Sequence, residues 1–161
     1  MKEDIVPGTI DGLTATANRT MPAITRATTD DQIRRCFPVM AQLRPHLDEA
    51  EFVARVRRQQ QDGYELAFLS DKKIVKAVAG YRLLESLSWG KFIYVDDLVT
   101  GELFRSQGFG QQLFDWLVKR ARSRGCDQFH LDSGVQRFGA HRFYLAGRMD
   151  IIAHHFAMKL R

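Results

Sequence analysis

A chain of 161 residues and 18.5 kDa, 45% hydrophobic and 27% charged, has the size and balance of one ordinary domain and leaves little room for two. Its 24 Lys and Arg against 19 Asp and Glu give a net charge of +5, which suits a polyanionic partner or a merely solvated surface. No apolar stretch approaches the ~18 residues of a transmembrane helix, and residues 1–20 lack the apolar middle of a secretory signal; no membrane-spanning helix is expected, and a cytoplasmic location is.

Residues 1–22 mix Thr, Ala, Gly, Asp and Pro without periodicity and read as a flexible lead-in to a domain spanning residues 23–161. A short strand at 24–27 comes first. Thr29 and Gln32 then have the spacing of a capping box, opening a helix with an apolar stripe of Ile33, Cys36, Phe37, Met40 and Leu43. Pro38 lies inside the stripe and should kink or restart the helix, because its ring removes a backbone donor. Asp48 and Glu51 form a second expected capping box ahead of Phe52, Val53 and Val56, and Gly63 supplies the stop. From Tyr64 the period changes to that of strands. Runs at 64–70, 74–84 and 91–99, broken at Asp71-Lys72-Lys73 and Ser88-Trp89-Gly90, predict a three-stranded antiparallel meander. A glycine-rich turn at 105–110 leads into a helix with Phe109, Leu113, Leu117 and Ala121 on its core face. A strand at 126–132, a helix at about 137–146 and a last strand at 151–160 complete the order βααβββαβαβ, an α/β (α+β) sandwich with a mixed sheet. Cys36 and Cys126, too few for a disulfide framework, are expected to be free thiols.

The informative junction is the run from the strand at 92–99, through Thr100 to Phe104, into Arg105-Ser106-Gln107-Gly108-Phe109-Gly110 and directly on to a helix. Free backbone N–H groups and the positive end of the helix dipole converge at such a turn, which makes it an anion site. Gly108 and Gly110 remove side chains where a pyrophosphate would touch backbone, and Arg105 adds a fixed charge. The plainer reading is a tight strand-to-helix turn that needs two glycines. No Gly-Lys-Ser/Thr closes a P-loop, and the three-glycine dinucleotide fingerprint is missing.

Arg-x-x-Gly-x-Gly following Asp97-Leu98-Val99-Thr100 resembles the acetyl-CoA motif of the GNAT superfamily of N-acetyltransferases, and the element order agrees from about Ile24 to the C-terminus. A second segment, Ala140-His141-Arg142-Phe143-Tyr144, resembles that superfamily's helix bearing a tyrosine acid. The resemblance implies a fourth and a fifth strand that splay apart. Leu98, Val99 and Thr100 would hold the pantetheine arm and thioester, and Arg105, Ser106, Gln107, Gly108, Phe109, Gly110 and Gln111 would surround the pyrophosphate of acetyl-CoA. It implies direct transfer to a primary amine, with a small-molecule acceptor expected. Arg137 stands where the superfamily often has Asn, and Arg148-Met149 where it often has Gly-Phe. A non-catalytic acyl-CoA sensor of the same fold is the alternative.

Acyl transfer to an amine needs a neutral nucleophile, a polarised carbonyl and a proton for the leaving thiolate. An alkylammonium with a pKa near ~10.4 must lose its proton first, and Asp96 and Asp97 beside the acyl position are the candidate bases. Strand alternation sends them to opposite faces, with Asp97 preferred. A backbone N–H at Val99 or Thr100 would polarise the carbonyl, and Tyr144 would protonate the thiolate. Acidic residues Asp96, Asp97, Glu102 and Asp132 near the cleft favour a cationic amine, while Arg137, Arg142, Arg148 or the pair His154-His155 would anchor a second charged group. No metal is expected, since the five histidines lack ligand spacing. A covalent Ser133 or Cys126 scheme lacks the flanking pattern it needs. The basic cluster Lys119, Arg120, Arg122 and Arg124 reads better as a helix end than as a nucleic-acid surface, because no aromatic residues are interleaved for stacking. A homodimer is left open.

Overall fold

A computed structural model describes residues 22–161, so the lead-in expected at 1–22 lies, Pro22 apart, outside the described residues. In chain order the elements are β1 (Ala23–Arg26), α1 (Asp30–Leu43), α2 (Glu49–Gln61), β2 (Tyr64–Asp71), β3 (Ile74–Ser86), β4 (Gly90–Thr100), a single 3-10 turn at Glu102–Phe104, α3 (Phe109–Ser123), β5 (Gln128–Leu131) and α4 (Phe138–Ala146). The order matches the sequence expectation up to α4. The last expected strand does not form: residues 151–161 are exposed and carry no secondary structure, because a strand exists only where another backbone pairs with it.

The five strands lie in the order β1-β2-β3-β4-β5, antiparallel through β4, with β5 parallel to β4. This mixed sheet is a middle layer. On one face α1 and α2 contribute Ile33, Cys36, Met40, Phe52 and Val56 to a core with Leu66, Phe68 and Val78. On the other, Leu113, Leu117 and Ala121 of α3 pack on Ala77, Ala79, Tyr81, Ile93 and Val95. Covering both faces explains why β3 is buried at every position from Ala77 to Tyr81 and shows no alternation of apolar and polar residues.

Local chemistry sets the element ends. Thr29 and Gln32 close the expected capping box, with Thr29 Oγ1 accepting from Gln32 N at 3.3 Å and Gln32 Oε1 from Thr29 N at 3.1 Å. Asp48 caps α2 by accepting from Ala50 N at 2.7 Å, but no bond returns from Glu51, so this end is a simple cap rather than a box. Helix α1 is one continuous element through Pro38, held by burial of Cys36, Val39 and Met40 around the missing donor. Both cysteines are free. Burial pushes the Cys36 thiol up to about 12, with the nearby Arg35 opposing. Among the described residues no helix is long and apolar enough to cross a membrane.

Candidate active site

The site is built by two irregularities in β4. The first is a bulge: Gly80 of β3 lies opposite Asp97, whereas Tyr81 lies opposite Val95, so Asp96 is an extra residue. Regular alternation would put Val95, Asp97 and Val99 on one face. Instead Val95 and Leu98 pack toward α3, and Val99 packs toward α1 and α2. The inserted residue therefore turns Asp96 and Asp97 to the same face. This corrects the expectation that alternation separates them; a bulge is a property of pairing with β3 and leaves no mark on β4 alone.

The second irregularity is the end of pairing with β5. Partners run from Phe92–Gln128 to Val95–Leu131 and stop, while β4 continues to Thr100, so the expected splay of the fourth and fifth strands is present. Gly101 N donates to Lys76 O at 2.8 Å, and the antiparallel alternation then commits the Val99 and Asp97 amides to β3 and turns those of Leu98 and Thr100 to the open edge. Of the two expected carbonyl-polarising amides, Thr100 is available and Val99 is not.

On the face of α1 and α2 the bulge opens into a cavity of about 360 Å³, lined by Arg44, His46, Arg55, Tyr64, Arg82, Asp96 and Asp97 among others. Its two carboxylates are fixed by guanidinium groups. Arg44, the residue that ends α1, donates from Nε to Asp97 Oδ1 at 2.8 Å and from Nη2 to the Asp96 carbonyl at 3.0 Å, clamping the bulge from above. Tyr64 OH donates to Asp97 Oδ2 at 3.1 Å. It reaches across β3 over Gly80, where any Cβ would collide with the tyrosine hydroxyl. Arg82 Nε donates to Asp96 Oδ2 at 2.9 Å, and its other nitrogens are held by Gln59 Oε1 and Asp62 O. Burial, opposed by Arg82, raises the Asp96 pKa. Burial and the Asp97 carboxylate hold the Tyr64 phenol well above its usual range. None of Arg44, Tyr64 and Arg82 was singled out in the sequence. They lie 53, 33 and 14 residues from their acidic partners and belong to three different elements.

On the opposite side of Asp96, the splay leaves a cleft of about 120 Å³ between β4 and the β5–α4 segment, lined by Leu98, Leu131, Asp132, Ser133, Arg137 and Tyr144 among others. Arg44 and Asp96 line both spaces. Tyr144 packs on Phe114 and Phe143, and among the described residues its hydroxyl has no hydrogen-bond partner. Burial, with Arg137 opposing, raises its pKa, so the phenol keeps its proton at neutral pH. Ser133 Oγ is buried without a partner, a polar atom the protein itself leaves unsatisfied.

At the mouth of the splay, Gly108 caps α3 in the left-handed region, φ 81°, with no side-chain cap and no acidic residue in the first turn. The first helical bond is Gln112 N to Gly108 O, which leaves the amides of Phe109, Gly110 and Gln111 free. A Cβ on Gly110 would lie 2.8 Å from Thr100 Oγ1, so any larger residue would have to displace that hydroxyl for the helix to approach the end of β4 this closely. Arg105 is exposed, 3.9 Å from Glu102. These features fit a diphosphate at the helix and an amide-bearing arm along β4 toward Ser133.

Other candidates are placed elsewhere. Asp132 accepts from Tyr94 OH and lies 3.0 Å from His155 Nδ1. His154 and His155 belong to the unpaired C-terminal segment rather than to a strand, and neither lines the larger cavity. His130 stacks on Trp89 with ring centroids 4.0 Å apart. Arg120 turns in to Glu65, which accepts from it at 3.1 Å, so the basic run on α3 is split.

Residues 28–147 match the acetyltransferase (GNAT) family. The chain is 33% identical over 118 residues to the uncharacterized N-acetyltransferase YhdJ of Bacillus subtilis (strain 168), covering 73% of this chain and 83% of that one. Its fold is similar to a transcriptional regulator from Bacillus halodurans C-125 (TM-score 0.74, 21% identity, 86% of this chain and 99% of that one). It is also similar to glucosamine-6-phosphate N-acetyltransferase from Arabidopsis thaliana (TM-score 0.69, 19% identity, 87% and 99%). With a splayed fourth strand, an uncapped glycine turn and a family match over most of its length, the chain belongs to the GNAT family and is an N-acetyltransferase.

Proposed function

We propose that this N-acetyltransferase takes the acetyl group of acetyl-CoA and transfers it directly to the primary amine of a small molecule that also carries an anionic group. The observation that supports this most is the meeting of the two spaces across β4, where Asp96 and Arg44 line both. A donor in the splay and an acceptor under α1 and α2 would face each other there, with no covalent enzyme step between them.

The co-substrate supplies an activated thioester; the chain's own residues do the rest. The free amides of Phe109, Gly110 and Gln111, together with Arg105, Ser106, Gln107 and Gly108, bind the diphosphate. The open edge at Leu98, Val99 and Thr100 receives the arm, and the Thr100 amide is aimed to polarise the carbonyl. Tyr144, protonated and free of internal hydrogen bonds, donates to the leaving sulfur. Asp96 is the better proton acceptor for the amine. Both oxygens of Asp97 are engaged by Arg44 and Tyr64, whereas Asp96 has one bonded oxygen and a pKa raised toward that of a useful base.

Charge in the larger cavity supports the acceptor class. Arg44 pairs with Asp97 and Arg82 with Asp96, while Arg55 makes no ion pair among the described residues. One positive charge is left over, fit for a carboxylate or phosphate on the acceptor. It takes the anchoring role expected of Arg137, Arg142, Arg148 or the pair His154-His155.

The test is an acetylation panel of amino acids, amino sugar phosphates, polyamines, aminoglycosides and lysine peptides at fixed acetyl-CoA. Amines with an anionic group should be preferred, and Arg55→Ala should raise KM for them ~10-fold or more with little change in kcat. Preference for polyamines or for protein lysines would overturn the acceptor class. kcat/KM should rise with pH through the raised Asp96 pKa, and Asp96→Asn should remove that limb while Asp97→Asn retains it.

A further inference from the structure

The two spaces on either side of β4 have two lining residues in common, Asp96 and Arg44. Atoms that react where the spaces meet therefore have one carboxylate and one guanidinium beside them. Asp96 answers one need of the reaction, a place for the amine proton. Holding the bulge uses only part of Arg44.

Backbone chemistry fixes where that side chain starts. Arg44 is the C-cap of α1, and its amide donates to Met40 O at 2.9 Å. Its backbone leaves the helix at φ −123° and ψ 69°, ahead of Pro45, which disfavours a helical residue before it. A guanidinium is planar, with five N–H donors in a rigid fork. Nε and Nη2 donate to Asp97 Oδ1 and to the Asp96 carbonyl, and two bonds to separate acceptors fix the plane. Nη1 has no acceptor among the described residues, and the side chain is 43% exposed. Arg82 is the contrast. Its Nε, Nη1 and Nη2 are all engaged, by Asp96 Oδ2, Asp62 O and Gln59 Oε1, and it lines only the larger of the two spaces.

We infer that Arg44 is a catalytic residue, whose Nη1 donates to the carbonyl oxygen of the acetyl group as negative charge builds there. This rests on direct transfer between donor and acceptor across β4. The amine lone pair forms the C–N bond while the C=O π pair moves onto oxygen, which takes one hydrogen bond from the Thr100 amide and one from Nη1. The pair then returns, the C–S bond breaks, sulfur takes the Tyr144 proton and Asp96 takes the amine proton. A donor already held by two other bonds of its own fork needs no reorganisation when the charge appears, so its contact strengthens toward the transition state.

The discriminating variants are Arg44→Lys and Arg44→Gln. Each can still donate to Asp97, so the bulge keeps a tie, but neither has a second edge to offer the substrate. Thermal unfolding shows whether each is folded, and either one suffices. In a folded variant kcat should fall ~10²-fold. The acceptor KM, the acetyl-CoA Kd measured by calorimetry and the position of the Asp96 limb in the pH profile of kcat/KM should all stay in place. An unchanged kcat overturns the inference. A loss of kcat that comes with a raised acceptor KM or a displaced limb overturns it too, because that is the signature of a slipped bulge and not of a missing contact to oxygen. Failure of direct transfer itself is visible separately, as ping-pong kinetics and an acetylated chain by mass spectrometry in the natural protein.

Discussion

At the residue scale, the site depends on hydroxyls and carboxylates whose partners, or lack of them, set their use. Tyr144 has a half-buried ring, a raised pKa and, among the described residues, no internal acceptor for its proton, the state a general acid needs before its leaving group arrives. Tyr144→Phe removes one oxygen and little volume. Loss of ~10²-fold or more in kcat is expected, with acetyl-CoA affinity unchanged by calorimetry; full turnover would reduce the side chain to packing. Tyr64 is the contrasting case. Its hydroxyl is spent on Asp97, and Gly80 is present because no other residue leaves room for that crossing. The two tyrosines look alike in sequence, and only their surroundings separate a donor to substrate from a strut.

At the element scale, the decisive features are a strand that outruns its partner and a helix that begins without a cap. Gly108 shows how little of the second depends on packing. A Cβ there would meet only Gln112 Nε2, at 3.9 Å, so the constraint is its φ of 81° and not its space. Gly108→Val should therefore fold, at a cost of ~1–2 kcal/mol for a left-handed β-branched residue. That is a fall of a few degrees in Tm. Acetyl-CoA affinity should fall ~10-fold or more as the turn opens and its amides diverge, and an unchanged Kd in the folded variant would remove the diphosphate assignment. The bulge at Asp96 is the other element-scale device, and Arg44 holds it by bonding both the Asp96 carbonyl and the Asp97 carboxylate.

At the scale of the whole molecule, burial on both faces of the sheet couples stability to pH. Cys36 is fully buried on the inner face of α1, its thiol pushed up to about 12, while in the unfolded chain it titrates near ~8.5. Above ~8.5 the unfolded state loses a proton that the folded state keeps, so stability is full below that pH and declines as pH rises toward about 12. Thermal unfolding followed from pH 7 to about 10 should show Tm falling, and Cys36→Ala should flatten the fall while lowering Tm at pH 7. A natural chain with level Tm across that range would contradict the assignment. Glu65 acts at the other end. Its burial favours protonation, but bonds from Tyr81 and Arg26 and the charge of Arg120 outweigh it and lower its pKa, so its contribution is lost in acid.

By itself the sequence determined what short-range chemistry determines: the cap at Thr29, the change of period at Tyr64, the hairpin breaks, the glycine turn before α3 and the tyrosine on α4. Each is set by residues within a few positions of one another, so composition and spacing suffice. The tertiary structure alone decided that Asp96 and Asp97 share a face, that Arg44, Tyr64 and Arg82 hold them, and that the Thr100 amide rather than that of Val99 faces the open edge. These depend on the register of β4 against β3 and on partners many residues away. The same reason explains the C-terminal segment. Its alternation is legible at 151–160, but alternation states only that a strand would suit these residues; whether one forms depends on an edge to pair with, which the single chain does not bring to it.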